Sequence, residues 1–157
     1  MKHLRPTIRL FTFVLFPILL SCASKTETKD EKVSDPNALP ALGTQALTDL
    51  YVAAEVVDMI FYDMPISLNQ DDAKSAKNSV LYISPTVATF NPSCKALGRL
   101  SWMTKGAIYK EADIYVDSLC NYFVFMENNQ PVAINAMSES GIQFFKTIIS
   151  QVPSKPQ

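Results

Sequence analysis

Histidine is nearly missing from this 157-residue chain: His3 is the only one, so everything from position 4 onward lacks an imidazole. For any domain built downstream, that excludes serine or cysteine nucleophiles served by a histidine base, histidine-ligated zinc and histidine-based pH switching. Glycine is almost as scarce. Gly43, Gly98, Gly106 and Gly141 are too far apart for G-x-G-x-x-G or a phosphate loop, in which backbone amides must come close to phosphate. There is no G-x-S-x-G elbow, no serine followed three residues later by lysine, and no acidic loop with the central glycine of an EF-hand. Thr26 does precede Lys29 by three, but it lies in a polar stretch with nothing to form a pocket. The residues therefore give no cofactor and no metal, and the expectation is a protein that is not an enzyme.

Long apolar runs are also absent. The longest, Leu10 to Leu20, has only Thr12 as a polar member and Pro17 inside it. A membrane-crossing helix needs about 20 apolar residues to span a core of about 30 Å. Preceded by Lys2, Arg5 and Arg9, this shorter run has the plan of a signal peptide over residues 1–21.

The signal ends in Leu19-Leu20-Ser21-Cys22: an aliphatic residue three before a cysteine, and a small residue directly before it. This resembles the lipobox of bacterial lipoproteins, over residues 1–24 only. The resemblance implies a diacylglycerol on the Cys22 thiol, cleavage before Cys22 and acylation of the new N-terminus. Each buried CH₂ contributes about 0.8 kcal/mol, so several acyl chains hold such a protein to its bilayer almost permanently. Ala23 stands where members retained in the inner membrane often carry Asp, which implies an outer-membrane address, with the domain in the periplasm or at the cell surface.

If that maturation occurs, 136 residues remain, with 11 Lys and Arg against 15 Asp and Glu, a net charge of about −4. A mildly acidic chain without basic clusters offers no footprint for nucleic acid. With Cys22 lipidated, Cys94 and Cys120 are the two cysteines left to pair in an oxidising compartment, and a structural disulfide is expected there ahead of two buried thiols. Closing a loop of that length contributes about 3.5 kcal/mol in the chain-entropy treatment.

Along the mature chain, residues 22–43 are polar, mixed in charge and punctuated by Pro36 and Pro40, which reads as a flexible tether reaching about 25 Å. Residues 44–152 read as one domain and 153–157 as a tail. Thr44 to Met64 fits a long helix, with Leu47, Leu50, Ala54, Val57, Phe61 and Met64 on one face and Thr48, Glu55, Asp58 and Tyr62 opposite. A second helix fits 70–83, capped by Asn69. A short helical turn fits Asn91 to Gly98 and would carry Cys94. The period then becomes two. Ala112, Ile114 and Val116 alternate with charged residues, although Ile108, Ala112, Tyr115 and Leu119 also fit helical spacing. Cys120 to Met126 is apolar on both faces, as a central strand would be, and after a turn at 127–130 the run Val132 to Met137 returns antiparallel to it. Ser140 to Gln151 closes as a helix with a Ser140–Gln143 capping box. These elements predict an α+β domain: an antiparallel sheet of about three to five strands packed with N-terminal helices and a C-terminal helix.

Two pairs of acids remain as candidates for carboxylate chemistry, Glu55 with Asp58 and Glu111 with Asp113, although each reads first as a solvated face. Trp102, Tyr109, Tyr115, Tyr122, Phe123 and Phe125 could stack bases or sugars, but with no basic residues interleaved over 122–125 they read as sheet core. Val52, Val56 and Met59 form a second apolar ridge on the predicted first helix, a candidate docking surface for an envelope protein partner. The functional expectation is a membrane-anchored, non-catalytic accessory or protein-interaction module. A small ligand-binding or inhibitor module and a carboxylate-dependent hydrolase are the alternatives.

Overall fold

The computed structural model describes residues 38–152. The signal peptide, Cys22, the tether through residue 37 and the tail 153–157 lie outside them. The elements run α1 (Thr44–Ala53), β1 (Val56–Phe61), β2 (Ser67–Gln70), α2 (Ala73–Val80), β3 (Ile83–Val87), β4 (Gly98–Thr104), β5 (Ala107–Val116), β6 (Asn121–Glu127), β7 (Gln130–Met137) and α3 (Glu139–Gln151). The strands make one antiparallel seven-stranded sheet in the order β2-β1-β4-β5-β6-β7-β3. The α+β class is as expected, and the sheet is wider than the predicted three to five strands.

One of the added strands, β1, comes from a misreading of period. The predicted helix over 44–64 ends at Ala53, and Val56–Phe61 is a strand between β2 and β4. Val57, Met59 and Phe61 are buried on one side while Val56, Asp58 and Ile60 face the other. Apolar residues this dense satisfy a wide helical face and a two-residue alternation equally well. Pairing on both edges decides in favour of the strand. The second helix is shorter than predicted, since Asn69 is paired in β2 opposite Asp58 and the cap is Asp72, which accepts from Ser75 N at 2.9 Å. Residues 91–97 form a loop instead of a helical turn, and Gly98 opens β4. A Cβ there would meet the Ile60 carbonyl oxygen at 2.2 Å, so glycine is what lets β4 approach β1.

Over 107–116 the alternation prevails over the helical spacing. The hairpin of β6 and β7 forms as expected. Its turn is Asn128-Asn129, both left-handed (φ 52° and 60°), a conformation asparagine tolerates and one that suits the twist of a tight hairpin. The last helix begins one residue before Ser140, and its cap is Ser138, whose Oγ accepts from Gly141 N and donates to Leu81 O.

The helices lie on one face of the sheet. Leu50, Ala54, Ala76, Val80 and Phe145 from the α1–α3 side pack on Val57, Met59, Leu100, Trp102, Ile114, Phe123 and Phe125. The polar atoms of this core are satisfied: Trp102 Nε1 donates to Ser79 Oγ at 2.7 Å, and Ser79 Oγ donates to the Ala76 carbonyl at 2.6 Å. A second, smaller cluster (Cys120, Tyr122, Val124 and Ile134) lies on the opposite face.

The chain passes between these layers before α1. Leu39 packs on the outer cluster and Leu42 on the helix-side core. The crossing uses the place where the β3–β7 register breaks between Ile83 and Val87. Ile134 N donates to Pro40 O at 2.8 Å. The buried Asn135 amide accepts from Leu42 N at 2.7 Å and donates to Leu42 O and Ser84 O at 3.2 and 2.9 Å. Residues 38–43, expected to be the end of the tether, are therefore part of the domain.

Candidate functional site

The outer face divides into a polar band and a cleft. Across β1, β4 and β5, the positions that alternate away from the core carry Asp58, Arg99, Ser101, Glu111 and Asp113. Arg99 Nε donates to Asp113 Oδ1 at 2.7 Å, and Tyr62 Oη donates to the same oxygen at 3.0 Å. Ser101 Oγ donates to Glu111 Oε1 at 3.0 Å. The hydrogen bond to Asp113 is the main reason the Arg99 guanidinium is held more basic than usual. Burial, then the bond to Asp113, raises the Tyr62 phenol above its ordinary value.

Of the acid pairs found in the sequence, Glu111 and Asp113 do share a strand face. Glu55 and Asp58 do not share a helical one. Glu55 accepts from Lys105 N at 2.6 Å at the end of the sheet, and Asp58 accepts from Asn69 Nδ2. All four carboxylates are thus engaged in hydrogen bonds.

Beside the band lies a half-open cleft of about 540 Å³. Its floor is Asp113 and Tyr115 of β5 with Val124 and Met126 of β6, Pro131 of β7 closes one end, and Ala38 and Leu39 form one wall. The other wall is Phe90, in the loop between β3 and β4. That loop is pinned twice. A disulfide joins Cys94 to Cys120 at the foot of β6. The Tyr122 hydroxyl also accepts from Asn91 N and donates to Asn91 O, each at 3.3 Å. Phe90 stands at 85° to Tyr115 with ring centroids 6.2 Å apart, and Tyr115 stacks on Tyr122 at 4.7 Å. Burial raises both tyrosine phenols.

Cys94, Asp117 and Cys120 come within 4.8 Å of one another, close enough to suggest metal ligands. The sulfurs are joined to each other, however, and Asp117 Oδ1 accepts from Leu119 N and Cys120 N at 2.6 and 2.8 Å, so the carboxylate holds the β5–β6 turn.

The ridge predicted from Val52, Val56 and Met59 does not exist. Val52 is at the end of α1 and 69% exposed, Val56 is in β1, and Met59 is fully buried against the helices. Their one-sided spacing required a helix that ends before Val56. Trp102, Phe123 and Phe125 are sheet core as read, whereas Tyr115 and Tyr122 face the other way and Tyr109 is exposed. Sequence reasoning missed Leu39, Phe90, Arg99 and Pro131. The available signal was Tyr115, which alternates with the core residues of its strand and so shares the side of Glu111 and Asp113.

Together these features define a two-layer α+β domain with a ligand-sized hollow on its uncovered face. The chain matches no protein-family model, no curated protein and no solved structure. Among the described residues, no helix is long and apolar enough to cross a membrane.

Proposed function

We propose that the chain is a bacterial envelope lipoprotein, anchored through Cys22, whose domain is a non-catalytic binding module that uses the outer-face cleft. The observation that carries this reading is the cleft itself. At about 540 Å³ it falls in the range of small-molecule sites, about 300–1,000 Å³, with mostly apolar lining and one polar end. Its walls are a twice-pinned loop and a hydrogen-bonded strap, so the shape is set before anything binds. Support for a non-catalytic role comes from the acids, each of which accepts at least one hydrogen bond, from Arg99, Tyr62, Ser101, Asn69 or the Lys105 amide. Between the two non-catalytic readings of the sequence, this geometry favours ligand capture over the Val52–Val56–Met59 ridge.

The test is native mass spectrometry of the protein taken from its own membrane. The expected result is a Cys22 that carries a diacylglycerol on its thiol and a third acyl chain on its amine, and a co-purifying small molecule that is lost in Val124→Trp, a change that fills the cleft. An unmodified Cys22 would overturn the anchor. A ligand mass unaltered by Val124→Trp would overturn the site.

A further inference from the structure

We infer that the cleft is a site for an organic cation on an apolar stem, such as an alkyl- or arylalkylammonium. This deepens the binding-module reading and rests on it. Two groups that recognise such a cation meet at one end of the cleft. The first is Asp113. Arg99 Nε and Tyr62 Oη both use its Oδ1, and no hydrogen bond to Oδ2 is seen among the described residues. The second is the corner made by Phe90 and Tyr115, two rings set nearly at right angles with their centroids 6.2 Å apart. Ring faces are electron-rich and attract ammonium groups, more strongly where water is thinned out.

Local charge points the same way. Asp113 is 14% exposed at its side chain, and Glu111 precedes it by about 7 Å on the same strand face. With Asp58 on β1, three carboxylates face one guanidinium, that of Arg99, across the polar band. An anion entering the cleft would meet this surplus of negative charge. A cation would be drawn by it and could rest its stem on Val124, Met126 and Leu39.

The test uses matched ligands that differ only in the head: 4-phenylbutylamine, 4-phenylbutanol and 5-phenylvalerate. Each is titrated into the full chain in lipid nanodiscs with methionine methyl groups labelled for NMR. Met126 lines the cleft and Met59 is buried on the helix side, so one chain carries both probe and control. The expected result is a shift at Met126 and none at Met59, with the amine binding about tenfold more tightly than the alcohol and more tightly still than the acid. Asp113→Asn should bring the amine to within about threefold of the alcohol, because the charge that tells the two heads apart is gone. Equal binding of the three heads, or a preference that survives Asp113→Asn, would overturn the cation assignment and leave the binding site standing. No shift at Met126 with any of them would overturn the binding reading as well. Should Asp113→Asn disturb the fold, Met59 reports it, and the three-ligand comparison on the unaltered chain still decides.

Discussion

The two faces of the sheet are built from the same strands on different principles. On the helix face, Phe123, Phe125, Trp102 and Phe145 are fully buried and interlock with α1–α3. On the outer face the alternate residues of the same strands are tyrosines, acids and medium-sized apolar groups. A strap and a pinned loop bury Tyr122, Val124 and Ile134 and leave the rest partly open. The helix face is closed by volume, and little there could move without leaving a void. The outer face is held by point contacts (a disulfide, a side-chain amide and a phenol), and those contacts leave a hollow. Packing resides mainly in one face and recognition in the other, so truncating a ring on each should separate the two.

The largest effect belongs to the helix face. Phe123→Ala removes a fully buried ring between β6 and α3, where it meets Phe145 edge-on at 6.2 Å, and should cost about 3–5 kcal/mol in thermal or denaturant unfolding. Phe90→Ala, on the outer face, should cost less than about 1 kcal/mol, because that ring is 48% exposed, yet it should remove a wall of the cleft and with it most of the binding. Comparable losses of stability from both would break the contrast.

Next in size is the disulfide. Cys94→Ser with Cys120→Ser should lower stability by about 3.5 kcal/mol in the chain-entropy treatment, measured as a fall in Tm that dithiothreitol reproduces in the unaltered chain. Methyl NMR should show Met126, at the cleft, changing far more than Met59. Asn135→Ala comes after it, at about 2 kcal/mol, since the Leu42 amide and the Leu42 and Ser84 carbonyls all lose a partner. The strap would loosen first, seen as faster hydrogen exchange at Leu42 than at Leu100.

The faces also differ in how much of them could be read from sequence. The β6–β7 hairpin was legible because Tyr122 to Met126 is apolar on both sides and Asn128-Asn129 supplies a left-handed turn. The closing helix was legible by period alone. β1 was not, since Val57, Met59 and Phe61 fit a helical face as well as an alternation, and only pairing with β2 and β4 chooses between them. Of the cleft, the cysteine pair was visible and so was the shared side of Glu111 and Asp113. Leu39, Phe90 and Arg99 were not, because each reaches the site through a contact distant in sequence. The Phe90 wall depends on a bridge closing 26 residues, and the Leu39 wall on Asn135, 93 residues from Leu42.

The smallest effect sharpens the comparison through pH. Tyr62, Tyr115 and Tyr122 on the outer side and Tyr82 beside Phe144 all have phenols raised above 10.0, burial being the first cause in each. A group whose folded pKa exceeds its unfolded value contributes stability that is complete below the unfolded pKa and is lost as pH rises through the folded one. The domain should therefore hold its stability from neutrality to about pH 10 and lose it above. Tyr62→Phe deletes the hydroxyl bonded to Asp113 at 3.0 Å, on a half-exposed side chain, so at pH 7 it should cost well under 1 kcal/mol. Above about pH 10 the variant should lose stability less steeply than the parent, because one phenol that the folded state keeps protonated is gone. Denaturant midpoints for the two proteins, followed from pH 7 to 11, should converge as pH rises. Midpoints that stay parallel would mean that the Tyr62 phenol ionises alike in the folded and unfolded chains, and that the polar band near Asp113 is more open to water than the bonds from Arg99 and Tyr62 imply.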